Sequence, residues 1–334
     1  MSTRLRYFAR FRTAICSPVR RRIKGIAGLA IGFLTASVAL LLVSALHAGP
    51  PALGRPRILG IKAVRIHVSN LDAARQFYKQ PIGTESKCDN CQVHQPTNFF
   101  FAAQFIALEP NGKTVNKNNL LEVDFETDDL KRMGEYLHSR GIKVRSEKAE
   151  GKVQLIRMED PEGHQIGFVT PASFDETIVG GTYRRSPDAD MQSRLLHAGW
   201  VVKDRAAMDK FYRDVLGFHL YWQGGMKDDR VDWVSMQVPD GTDWIEYMLN
   251  IPTDADKHLL GVMNHIALGV PSVREAAEQL KKNGMKLTEE PKIGRDGKWQ
   301  LNLYDPDDTR VELMEFTPVE KPCCSEFRGE HPKP

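Results

Sequence analysis

The sequence predicts an α+β protein in which four βαβββ units pair into two domains, placed after an N-terminal apolar helix or signal. Three observations predict it. A short strand, a turn and an amphipathic helix closing near a glycine recur four times after about residue 59. Short local matches fall at equivalent points of the two halves: Gln76-Phe77-Tyr78 against Lys210-Phe211-Tyr212, and Asp160-Pro161-Glu162-Gly163 against Asp305-Pro306-Asp307-Asp308. A basic and then apolar leader stands apart from this body. Self-similarity at a fixed spacing is the mark of a repeated supersecondary unit.

The leader comes first. Residues 1–48 hold eight cations and no acid, and an apolar run extends from Ile26 to Leu46 before Ala48, Gly49 and Pro50. A run of about 20 apolar residues suffices to cross a bilayer, and the basic end stays in the cytoplasm. The body is therefore expected to be exported, periplasmic or secreted if small residues such as Ala45 and Ala48 serve a signal peptidase, membrane-anchored through this segment if they do not. Arg20-Arg21-Arg22-Ile23-Lys24 resembles a twin-arginine signal.

Without the leader, the formal charge of +3 becomes −5. A mildly acidic body argues against nucleic acid as a partner, which would need a clustered basic face. Cys88 and Cys91 are spaced to form a local disulfide in an exported body or to remain an exposed thiol pair. Nothing in the spacing makes that pair converge with the adjacent Cys323 and Cys324 on a zinc ion.

In the first unit Ile61 to Val68 alternates as a strand, and Leu71, Ala74, Phe77 and Tyr78 share one helical face. The second has a strand from Leu120 to Phe125, Asp128 as N-cap, and a helix to Arg140 closed by Gly141. The third pairs a strand from Leu196 to Val202 with a helix from about Asp204 to Leu216, then Gly217. The fourth pairs His265 to Val270 with a helix capped by Ser272 and ending at Asn283 and Gly284. The domains fall at residues 57–172 and 192–320, joined by a polar linker over 173–191, and an aperiodic stretch over 321–334 reads as a flexible tail.

Several of these features resemble the vicinal oxygen chelate superfamily, which holds glyoxalase I, methylmalonyl-CoA epimerase, extradiol dioxygenases and bleomycin-resistance proteins. They are His197 opening a strand, Phe211-Tyr212 with Leu216-Gly217-Phe218, Asn264-His265-Ile266-Ala267, and Asp305-Pro306 leading to Val311-Glu312-Leu313. The resemblance covers nearly all of the chain after about residue 57. It implies that each domain curls into a half-open barrel holding metal on its inner face. Carried over position by position, the ligands fall on His197, Glu246, His265 and Glu312, a mixed nitrogen and oxygen set suited to one divalent metal ion such as Ni, Zn, Co, Mn or Fe. The same slots in the first domain hold Ala63, Ala107, Glu122 and Gly167, so that domain reads as a degenerate copy; His67 lies four residues past its slot and on the same face.

The ligand order and the separations of 49, 19 and 47 residues are similar to those of glyoxalase I. The resemblance then implies a glyoxalase-like isomerase or lyase, or an epimerase, that moves a proton beside a metal-bound carbonyl, with Glu312 as base and Glu246 as the second carboxylate. Its partner is a small molecule with adjacent oxygens, and export argues against a glutathione adduct. An extradiol ring-cleaving dioxygenase shares the overall length and the two-domain plan. Its acid-base signature does not match, because no His lies between His265 and Glu312 and Tyr304 abuts Asp305. A non-catalytic binding protein is the third reading. Trp200, Tyr221, Trp222, Trp233, Trp244 and Tyr247 are candidates for a substrate wall, most of them expected to be packing residues. Two domains in one chain can pair internally, so the fold requires no dimer.

Overall fold

Alternating apolar residues on two sets of strands need two covers, and each half of the chain builds its own sheet. The computed structural model describes residues 53–82, 97–101, 104–110, 113, 117–149, 152–171 and 193–334. The basic leader with its apolar run, Cys88 and Cys91, and the 173–191 linker lie outside those residues. No helix among the described residues is long and apolar enough to cross a membrane.

In the first half, β1 (Ile58–His67) is followed by α1 (Leu71–Ile82), β2 (Thr97–Phe101) and β3 (Gln104–Glu109). The second unit is β4 (Leu120–Thr127), α2 (Leu130–Ser139), β5 (Arg145–Ala149), β6 (Lys152–Glu159) and β7 (Gln165–Val169). These strands form one sheet in the order β2-β3-β1-β4-β7-β6-β5.

The second half repeats the plan. It has β8 (Arg194–Val201), α3 (Arg205–Asp209) running on as a π-helical turn over Lys210–Val215, β9 (His219–Gly224), β10 (Trp233–Gln237) and β11 (Trp244–Met248). The last unit is β12 (His265–Val270), α5 (Val273–Lys282), β13 (Lys292–Ile293), β14 (Trp299–Tyr304) and β15 (Arg310–Glu315), preceded by a helix absent from the sequence reading, α4 (Lys257–Met263). The sheet order is β13-β14-β15-β12-β8-β11-β10-β9. In both sheets the opening strands of the two units run antiparallel at the centre, β1 with β4 and β8 with β12, and each pairs in parallel with the last strand of its own unit.

Helix ends follow the local chemistry. Asp204 and Ser272 cap α3 and α5 by accepting from Ala207 and Glu275 backbone N–H groups, which satisfies donors a helix start leaves open. Gly141, Gly217 and Gly284 close helices at φ of 76°, 80° and 88°. At α2 the N-cap is Asp129, not Asp128. Asp129 accepts from Arg132 N (2.9 Å), while Asp128 instead accepts from Arg57 N (3.1 Å), a partner far away in sequence.

The tail differs from its expected flexibility. Residues 321–334 lie against β9: Trp222 Nε1 donates to Cys323 O, Arg328 N to Tyr221 O, and Ser325 exchanges bonds with the Gln223 backbone. Cys323 and Cys324 form a vicinal disulfide. The backbone of β9 with Trp222, and Gln237 of β10 donating to Glu330 O, rather than any periodicity of its own, hold the tail in place.

Residues Leu53–Pro334 form one compact unit in which the halves exchange contacts. Tyr78, from α1, donates to Asp305 in the β14–β15 turn (3.0 Å), and Tyr212 donates to Asp160 in the β6–β7 turn (3.2 Å). Each half thus supplies a hydroxyl to the other's carboxylate. Buried Asp243 accepts from Ile61 N (2.8 Å), and Gln104 bonds to both Ile61 O and Leu195 O.

Candidate metal centre

Residues paired across neighbouring strands share a face, and this register assembles the four sequence-chosen ligands in two rows. Glu312 on β15, Ala267 on β12 and His197 on β8 make one row; His265, Gly199 and Glu246 make the next. Small residues at Ala267 and Gly199 leave the room that the ligands fill. A Cβ on Gly199 would land within the His265 imidazole, 2.9 Å from Nε2 and closer still to Cε1 and Nδ1.

The donor atoms converge. His197 Nε2 and His265 Nε2 are 3.0 Å apart; Glu246 Oε2 lies 3.9 and 3.5 Å from them, and Glu312 Oε2 4.0 and 3.8 Å. Atoms held about 2.1 Å from a common ion can be at most about 4.2 Å apart, so each histidine–carboxylate separation fits a shared ion; among the described residues His197, Glu246 and His265 are the group here whose donor atoms all lie within 4.8 Å of one another, and Glu312 stands beside the two histidines. His265 Nδ1 faces the Met263 carbonyl at 3.0 Å, which leaves Nε2 directed at the centre, the usual support for a ligating imidazole. Burial first of all holds both histidines well below their usual pKa, so they stand neutral, as ligation requires. Burial also raises Glu312 to about 7, with Glu246 and Asp296 adding to the rise and Arg310 and Lys298 opposing it.

The centre opens into a cavity of about 360 Å³. Of the six aromatic candidates, Tyr221, Trp222, Trp233 and Trp244 line it. Trp200 stacks on His164 and Tyr247 packs on Tyr212, and the four lining residues are themselves packed in one core cluster, so packing is the common role, as the sequence reading expects, with one edge of that cluster forming the wall. Sequence reasoning missed Phe327, which reaches the cavity from the tail, and Lys298, buried under the aromatic wall with its amine on the Tyr221 hydroxyl (3.1 Å). Desolvation lowers Lys298 to about 8, against the pull of Asp296, Glu312 and Glu246. Lys298 follows a turn glycine in an otherwise polar loop, which reads as solvated until the tail covers it.

The first half shows the same rows with sizes exchanged. Gly167, Asp124 and Ala63 replace Glu312, Ala267 and His197; Glu122, Arg65 and Ala107 replace His265, Gly199 and Glu246. Arg65 and Asp124 occupy the room, and a Cβ on Gly167 would meet Asp124. Arg65 pairs with Glu109 (3.0 Å) and Glu122 (3.1 Å), and Arg157 donates to Glu122 (2.5 Å). Glu122 is therefore committed to guanidinium groups, and His67 sits farther along β1 opposite Glu109.

Comparison with known proteins agrees with this geometry. The sequence pattern of the Glyoxalase/Bleomycin resistance protein/Dioxygenase superfamily matches residues 194–313. Lactoylglutathione lyase of Escherichia coli O157:H7 is 30% identical over 124 residues, which cover 36% of this chain and 92% of that protein. A probable chloroplastic lactoylglutathione lyase of Arabidopsis thaliana is 26% identical over 39% of this chain, and the match spans only 38% of its length. In fold, homoprotocatechuate 2,3-dioxygenase of Arthrobacter globiformis superposes with a TM-score of 0.58 at 15% identity, covering 79% of this chain and 82% of that one.

Proposed function

This chain belongs to the Glyoxalase/Bleomycin resistance protein/Dioxygenase superfamily, and on that premise we propose that its second half is a glyoxalase I-like isomerase or lyase, or an epimerase, working by proton transfer beside a carbonyl. The observation that carries the reading is the cluster of His197, Glu246 and His265 with Glu312 beside both histidines, all the histidine–carboxylate separations being 4.0 Å or less. These residues would hold one divalent ion, which when bound supplies Lewis-acid polarisation of a carbonyl oxygen. Glu312 takes the proton from the adjacent carbon and returns it to the neighbouring position. Glu246 is the second carboxylate, steadied by a hydrogen bond from Ser235 (3.3 Å). The aromatic wall excludes water from the exchanging proton.

The dioxygenase reading is the weaker one. The Tyr304 hydroxyl donates to Glu289 (2.6 Å) and Tyr304 does not line the cavity, so the second half offers no tyrosine from that strand as an acid. The leader argues for work outside the cytoplasm and against a glutathione adduct as substrate. The first half serves as a packing partner.

The test is metal content by elemental mass spectrometry beside solvent-deuterium exchange at the α-carbon of α-hydroxy ketones. About one Ni, Zn or Co per chain is expected, lost in His265→Ala, with exchange abolished in Glu312→Gln. Iron with oxygen-dependent catechol cleavage would turn the assignment to the dioxygenase. A protein that takes up no metal would refute the centre.

A further inference from the structure

The centre leaves one cation over. Lys292, Arg295 and Arg310 line the cavity. Lys292 pairs with Glu289 (2.6 Å), while Arg295 pairs with Asp228 and donates to the Gly225 carbonyl (3.1 Å). The Arg310 side chain has no hydrogen bond or ion pair among the described residues, and its Nε is buried without an acceptor. Buried donors are almost always satisfied in folded proteins, so an open one inside a cavity points to a ligand.

Placement gives that ligand its chemistry. Arg310 stands two residues before Glu312 on β15, so both side chains project from the same face of the sheet. A guanidinium presents a planar fork that matches a carboxylate. Ser235, Asp296, Gln300 and Asn302 also line the cavity, and an apolar side is formed by Trp233, Trp244, Met248, Met314 and Phe327. A phosphate group would draw on several cations, but the other two are already engaged. A substrate with two carboxylates, such as a glutathione adduct, would leave one of them without a partner.

We propose that Arg310 is a carboxylate-recognition residue, and that the substrate is an apolar or aromatic monocarboxylate whose adjacent oxygens face the four-ligand centre. This rests on the metal reading above. Arg310 selects the substrate and takes no proton, so it governs affinity rather than chemistry.

The test uses the zinc-loaded full chain and two chelating probes, 3,4-dihydroxybenzoate and its methyl ester, with affinities measured by calorimetry. Zinc is redox-inert, so the catechols bind without turnover. The quantity read is the acid-over-ester preference in wild type against Arg310→Met, a comparison that cancels intrinsic differences between the probes. Wild type should favour the acid by about tenfold more than Arg310→Met does, the scale of one charge-assisted hydrogen bond. Arg310→Lys keeps the charge without the fork and should fall between them; it also covers the case of a misfolded methionine variant. An acid preference unchanged in both variants, or a wild type without any preference, overturns the role of Arg310 and leaves the metal centre standing. A protein that takes up no zinc and binds neither probe overturns both.

Discussion

Gly199→Ala should remove the metal without touching a ligand. The added Cβ falls within the His265 ring, 2.9 Å from Nε2 and nearer to two other ring atoms, whereas ordinary contacts begin at about 3.5 Å. The imidazole must then shift by roughly 1 Å, and its neighbours are close-packed strands that yield little. Overpacking of this kind costs about 1–3 kcal/mol, which leaves most domains folded. Loss of one imidazole should weaken metal binding by at least the roughly 10- to 100-fold expected of a disturbed supporting residue. Zinc at 100 times its wild-type dissociation constant adds about 2.7 kcal/mol of stability, and in a body of this size that is a melting rise of about 5 °C. Thermal scans with and without zinc measure the effect: wild type should show the rise and Gly199→Ala should show almost none. A variant that melts near wild type and keeps the full zinc-dependent rise would refute the claim that the missing Cβ makes room for His265.

Other outcomes follow from buried charge and from the tail. In the metal-free protein Glu312 holds its proton up to about pH 7, against about 4.5 when unfolded. The folded state therefore binds more protons between those values, and stability should fall by up to about 3 kcal/mol as pH rises through them, a slope that Glu312→Gln removes in urea titrations at several pH values. Arg65→Met leaves buried Asp124 without its ion-pair partner and Glu122 with Arg157 alone, and should cost about 3–5 kcal/mol; a loss below about 1 kcal/mol would show the network to be expendable. Phe327→Ala strips a cavity wall that rests on Tyr221 at 4.8 Å, so KM should rise several-fold with stability changed by no more than about 1.5 kcal/mol. An unchanged KM would mean the tail does not border bound substrate.

The repeat and the ligand slots were legible because strand alternation and glycine-closed helices are local signals. Aligning the four opening strands placed His197 against Ala63 and His265 against Glu122, which is the pairing the two sheets adopt. What stayed hidden depended on contacts distant in sequence. Asp128 and Asp129 are equal as caps until Arg57 claims the first. The tail has no period to read, since Tyr221 and Trp222 supply its partners. The size exchange at Arg65 and Gly199 could have been noticed, because an arginine on the inner face of a strand opposite glutamate already signals a filled site.

The crossed hydroxyl–carboxylate bonds bear on how genetic variation in this protein would be scored. The tyrosines first stood out as repeat matches, and the structure shows each one bonded to the other half's aspartate. A substitution at Asp160 or Tyr78 strikes the seam that holds both sheets in place. Neither residue lines the cavity. A screen for lost activity would nonetheless rank them beside the four ligands, and a map drawn from such a screen would outline the joint between the halves as well as the chemistry.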